Sequence, residues 1–170
     1  LSIDYFKDVK ESEIFHKAIE NIAKKRGDLG SNYKKYYDFI QPVFEGNEHF
    51  NKKLLYLACV LSHMDWGLGA FQKAELVFQE TINTPLLRLT HKERIQLALS
   101  CYWRYCSIKY NPKMEYLTFL NNNEIFSSKQ VGAALRFSQS LTSISTIFLE
   151  EFKLYKSCLL YTSDAADEGH

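Results

Sequence analysis

Leu57-Ala-Cys-Val-Leu-Ser-His-Met-Asp-Trp66 and Leu89-Thr-His-Lys-Glu-Arg-Ile-Gln-Leu-Ala-Leu99, both within the stretch from Lys53 to Arg104, decide the fold class. The first belongs to a run that Asn47 or Asn51 opens and that carries Leu54, Leu55, Ala58 and Leu61. Between Leu54 and Leu61 it is apolar on nearly all sides, which predicts the central buried helix. Gly67 and Gly69 break that run, a helix over 70–82 follows, and Asn83-Thr84-Pro85 turns the chain. In the second segment Thr90 and Glu93 form a capping box, in which hydroxyl and carboxylate each satisfy a backbone amide at a helix start. The helix it opens carries Ile95, Ala98, Leu99, Tyr102, Trp103 and Cys106 and should run to the Asn111-Pro112 break.

Helical periodicity continues outward from this centre. After the candidate N-caps Asp8 and Ser12, the residues Ile14, Phe15, Ala18, Ile19, Ile22 and Ala23 recur on one helix face until Gly27. A helix after Ser31 carries Tyr33, Tyr36, Tyr37, Ile40, Val43 and Phe44 and should kink or end at Pro42. A short helix over 115–120, a polar turn at Asn121-Asn-Asn123 and a helix over 128–142 complete the set. From Ile144 to Tyr155 the pattern weakens, and Phe148, Phe152 and Leu154 could be strand residues. The fold class read from these patterns is all-α, a multi-helix bundle with a truncated β-strand at its C-terminal end.

The 170 residues are 46% hydrophobic, enough for one core, and the expectation is a single domain. The end of the chain, Cys158-Leu-Leu-Tyr-Thr-Ser-Asp-Ala-Ala-Asp-Glu168, resembles an in-frame translation of a transposon adaptor used in sequencing libraries. The expected division is therefore a helical domain over 1–157 and a disordered, non-natural tail over 158–170. Three of the 20 acidic residues lie in that tail, so 17 acids face 21 bases and the remainder carries +4. This mild basicity suits a polyanionic partner and is far from the balance of a dedicated nucleic-acid binder. Cys59, Cys101 and Cys106 show no C-x-x-C spacing, and reduced thiols in a cytoplasmic protein are expected. The apolar run from Leu54 to Leu61 is far short of the ~20 residues that span a bilayer.

Both quoted segments resemble the C-terminal helical region of the exopolyphosphatase/guanosine pentaphosphate phosphohydrolase family, and bacterial exopolyphosphatases most closely. The family's Ala-Cys-Leu-Leu-Ser run ending in Trp is matched by Ala58-Cys59-Val60-Leu61-Ser62 and Trp66. Its Leu-Ser/Thr-His-x-Glu-Arg string is matched by Leu89, Thr90, His91, Glu93 and Arg94. The likeness covers roughly 1–155 and implies an HD-like helical accessory domain, with Phe152–Ser157 the first strand of a hairpin. It further implies that catalysis belongs to an actin-like module that uses Mg, and that this region packs on the catalytic domains of the same polypeptide. Polyphosphate, and a second copy in a homodimer, are the other partners implied. No cofactor of this region itself, no membrane and no specific nucleic acid is expected.

Nothing in the sequence supplies the catalytic half of such an enzyme. Gly67-Leu-Gly69 is the one close glycine pair, and as no strand precedes it, it reads as a helix end rather than a phosphate loop. His91 sits in a first helical turn that the capping box already explains, and His16 and His49 have no recognisable partners. No G-x-S-x-G nucleophile motif is present. The HD fold's adjacent His-Asp metal doublet is replaced by Ser62-His63-Met64-Asp65, so His63 and Asp65 are the residues a metal site would use. No catalytic residue is assigned, and the fragment alone is expected to be inactive.

A polyphosphate chain needs a line of cations along a groove, since its charge repeats and its chemistry does not vary. The residues that fit are Lys52, Lys53, Arg88, Arg94, Arg104 and Lys109. Tyr33, Tyr36, Tyr37, Tyr102 and Trp103 have the helical spacing of core residues before that of a base-stacking platform. Two rivals follow from the same residues. A stand-alone degenerate HD-type metal-dependent phosphohydrolase would need ligands converging around His63 and Asp65. A helical protein-interaction module would show an exposed apolar patch and no basic groove.

Overall fold

The computed structural model describes residues 2–28, 32–47, 50–64, 67–85, 89–111, 114–145 and 147–154, with 2–12 and 114 by backbone alone. These form eight α-helices: α1 (Ser2–Lys25), α2 (Asn32–Ile40), α3 (Lys52–Leu61), α4 (Ala70–Asn83), α5 (His91–Tyr105), α6 (Met114–Leu117), α7 (Asn122–Thr142) and α8 (Phe148–Glu151). No strand occurs among the described residues, and none of their helices is long and apolar enough to cross a membrane.

Helix α1 starts at Ser2, not at Asp8 or Ser12, because no glycine or proline interrupts the chain before Gly27. Gly27 then takes φ +84°, a conformation that only glycine adopts without strain, and the Asp28 amide returns to the Ala23 carbonyl at 2.9 Å. The buried Asp28 carboxylate accepts from the amides of Asn32 (2.8 Å) and Tyr33 (2.9 Å), so it opens α2. Pro42 acts as expected. Regular helix stops at Ile40 and continues only as a 3₁₀ turn over Gln41–Phe44.

Helix α5 occupies the middle of the bundle. Asn51 on Glu93 and Ser62 on Arg104 keep the same register along α3 and α5, so these two helices run parallel. Lys92 near Glu124 and Arg104 on Gln139 make α7 parallel to them, whereas Phe78 on Tyr102 and Lys73 over Tyr105 make α4 antiparallel. The side chains of Ile95, Leu97, Leu99, Tyr102 and Trp103 are fully buried. Helix α3 is also buried from Leu57 to Leu61, but the central position assigned to it from sequence belongs to α5. Tyr33, Tyr36, Tyr102 and Trp103 lie in this core, as their spacing indicates.

Besides the start of α1 and the short α6, which ends at Leu117 rather than Leu120, three features differ from the sequence reading. Helix α5 ends at Tyr105 rather than near Asn111, because Cys106 is extended and Trp103 Nε1 donates to the Tyr110 carbonyl at 2.9 Å, folding 107–110 back against the helix. Helix α7 begins at Asn122 rather than Ser128. Asn121 is its N-cap and Glu124 closes the box, so the supposed polar turn is a helix start. The truncated strand is not found where residues are described. Phe148–Glu151 is helical, Phe152 is extended, and the Leu154 amide donates to the Phe39 carbonyl at 3.1 Å; Tyr155 to Ser157 and the tail over 158–170 lie outside the described residues.

Candidate functional site

Three parallel helices place their N-termini at one end of the bundle, and a single carboxylate ties two of them. Asn51 Oδ1 accepts from the amides of Lys53 (3.0 Å) and Leu54 (3.3 Å), capping α3. Its Nδ2 donates to Glu93 Oε1 at 3.2 Å, while Glu93 Oε2 accepts from the Thr90 amide at 2.8 Å in the capping box of α5. At the start of α7, Asn121 and Glu124 exchange the same pair of bonds, and Lys92 Nζ lies 3.7 Å from Glu124 Oε2. Removing the cap with Asn51→Ala should cost about 1–2 kcal/mol, since Glu93 loses a partner as well. Chemical denaturation checks it.

The carboxylate of Glu93 is held below its usual range, first by the Thr90 amide and then by the Thr90 hydroxyl, Lys53 and Asn51, against a smaller opposing effect of burial. A folded-state value below the unfolded one means that folding favours the ionised form. Its contribution is therefore complete above the ordinary carboxylate range and is lost as pH falls through the depressed value. Melting curves between pH 6 and pH 3 should show stability falling below about pH 4.5, near the unperturbed carboxylate value. The fall should be shallower in Glu93→Gln.

Around this end stand Lys52, Lys53, Lys92 and Arg94, with Lys52 and Lys92 exposed and Lys53 and Arg94 half-buried. Among the described residues these four cations outnumber the carboxylates of Glu93 and Glu124 at the three helix starts, and the positive ends of three helix dipoles add to them. Between the three helix starts opens a cleft of ≈ 370 Å³, walled by Asn51, Gln96, Asn121, Asn123 and Glu124 over a floor of Phe50, Leu54 and Val131.

The structure thus brings together Lys52, Lys53 and Arg94 and adds Lys92. Lys109 is exposed but follows the other end of α5, a helix about 22 Å long. Arg88 and Asp65 lie outside the described residues.

Arg104 requires a correction. It is 2% exposed, not a surface cation. Its Nε donates to Gln139 Oε1 (3.0 Å) and its guanidinium to Ser62 Oγ (2.8 Å), and its guanidinium carbon lies 5.2 and 5.6 Å from the ring centres of Tyr36 and Tyr105. Tyr105 also donates to the Ser62 carbonyl at 2.6 Å. Arg104 therefore pins the C-terminus of α3 to α5 and α7 and cannot reach a solvent-borne polyanion. Beside it, burial pushes the Cys59 thiol well up, only partly opposed by Arg104; Cys101 is pushed up to about 11. These thiols are packing groups rather than nucleophiles.

His63 lines a second cleft, of ≈ 460 Å³, with Lys25, Arg26, Met64 and Glu80 at the opposite end of α3. Arg26 donates there to the Leu61 carbonyl and pairs with Glu80 at 3.1 Å. Among the described residues, no three His, Cys, Asp or Glu side chains converge in a way that could hold a metal ion.

Sequence reading missed two features of this end, the start of α7 at Asn121 and the bond that joins the starts of α3 and α5. The capping-box signal Asn121-x-x-Glu124 was present and marks the start of α7. The Asn51–Glu93 bond joins residues 42 apart and has no local signal. Compared with known proteins, the chain matches no family model and no curated protein.

Proposed function

We propose that this chain is a non-catalytic accessory domain of an exopolyphosphatase-type protein, which packs on an actin-like catalytic module and helps to dock polyphosphate. The observation that carries this reading is the gathering of Lys52, Lys53, Lys92 and Arg94 around the joined starts of α3 and α5. The two segments that resemble the family, ending at Trp66 and Leu99, include the body of α3 and the start of α5. Any Mg that the parent reaction uses would sit on the catalytic module.

A polyanion held by separate side-chain cations releases counterions, so its affinity falls steeply with salt. Titration of the chain with fluorescently labelled polyphosphate should give a log–log salt slope of about −2 to −3 for four contacts, at roughly 0.7 per neutralised charge of a single strand. Replacing Lys52, Lys53, Lys92 and Arg94 together by Gln should weaken binding at least about tenfold, roughly 0.4 kcal/mol for each exposed contact. Affinity indifferent to salt, or unchanged in that variant, would overturn the reading. The wild-type chain should release no orthophosphate from polyphosphate.

A further inference from the structure

Helix α7 turns Phe126 and Phe137 to solvent, and Ile144 just beyond its end, on one line that also passes the half-buried Ala133. At 3.6 residues per turn, Phe126, Ala133, Phe137 and Ile144 fall within about 20° of one line. Phe126 is 61%, Phe137 45% and Ile144 75% exposed. Ser143 keeps helical dihedrals and the Ile144 amide bonds the Leu141 carbonyl at 3.0 Å, so the stripe continues past the last residue of the helix. The opposite face of α7 holds Val131, Ala134, Leu135 and Ser138 against the core, which leaves the outward stripe without a partner among the described residues.

Charge along the stripe is one-sided. Lys129 and Arg136 occupy one flank, Gln130 the other, and the only acid on α7, Glu124, is engaged with Asn121 and Lys92 at its start. Lys129 reaches over the Trp103 ring at 5.4 Å, beside the loop that carries Lys109. In a two-fold pairing of antiparallel α7 helices, Phe126 meets Ile144 and Ala133 meets Phe137. The same symmetry, however, sets the Lys129–Arg136 flank against its own copy, and like charges repel.

From this geometry we infer that the outward face of α7 is a docking site for an acidic amphipathic helix of another protein, its apolar residues seated along Phe126–Ala133–Phe137–Ile144 and its carboxylates beside Arg136 and Lys129. The inference does not rest on polyphosphate docking, and its test uses a different ligand. The probe is a fluorescein-labelled synthetic helix of about six turns, with Leu along one stripe and Glu on both flanks, titrated with the whole chain and followed by anisotropy. A twin peptide carries Lys in place of each Glu. The acidic peptide should bind at least about tenfold more tightly than its twin, and Phe137→Asp and Arg136→Glu should each weaken it about tenfold. Both positions are exposed, and an unchanged melting curve shows that the fold survives. Equal binding of the two peptides, no binding of the acidic one, or insensitivity to Phe137→Asp would each overturn the proposal. So would a sedimenting dimer that Phe137→Asp dissociates, which would assign the face to a second copy.

Discussion

Replacing Gly132 by alanine should lower the melting temperature by about 4–8 °C, although alanine is the better helix former by about 1 kcal/mol. At Gly132 α7 packs directly against the backbone of α5. A Cβ there would lie 2.5 Å from Trp103 Cβ and 3.0 Å from both the Ser100 carbonyl oxygen and the Trp103 carbonyl carbon. Two of these atoms are backbone and the third is fixed to it, so no rotamer change relieves the contact. The helices must separate, and overpacking of this kind costs about 1–3 kcal/mol, occasionally more. With a contact as short as 2.5 Å the cost lies at the upper end of that range, and less the helix-propensity gain the net loss should be about 2 kcal/mol. Trimming the indole with Trp103→Ala should not rescue the variant, because the clashing Cβ remains. Differential scanning calorimetry of the two single variants and the double variant measures this directly.

Arg104→Ala should cost about 3 kcal/mol, whereas Arg104→Met should cost less than half of that. The alanine variant leaves a cavity and strips the Ser62 hydroxyl and the Gln139 carbonyl oxygen of their charged donor. Methionine fills most of the volume and removes a buried charge that no described carboxylate balances. Urea denaturation of the three proteins gives the comparison. Neither variant should change polyphosphate affinity beyond its effect on stability, since Arg104 is enclosed by Tyr36, Tyr105, Ser62 and Gln139. Selective loss of binding in Arg104→Met would return that residue to the cationic track.

Features that depend on near neighbours were legible in the chain. The capping box at Thr90, the break at Pro42 and the apolar faces of α3 and α5 follow from residues within a turn or two of one another. Burial of Arg104 was harder to read, because a lone arginine in a helix is by default placed on its wet face. Its position between Trp103 and Tyr105, in a helix buried from Leu97 to Tyr105, was the available signal. Tertiary bonds were not legible at all. The meeting of Asn51 with Glu93, which makes one cationic end out of two distant segments, depends on α4 returning the chain so that α5 runs parallel to α3. The start of α2 likewise relies on Asp28, which lies before Ser31 and reaches forward to two amides.

The central claim is that a polyanion docks at the shared start of α3 and α5 while chemistry happens elsewhere. Its most direct test is a backbone amide NMR titration of the labelled chain with polyphosphate. Shifts concentrated at 51–54 and 90–96, fading as salt is raised, are the predicted result. Shifts centred instead on 61–64 and 80–85, around His63, or orthophosphate appearing in the tube as the titration proceeds, would contradict it.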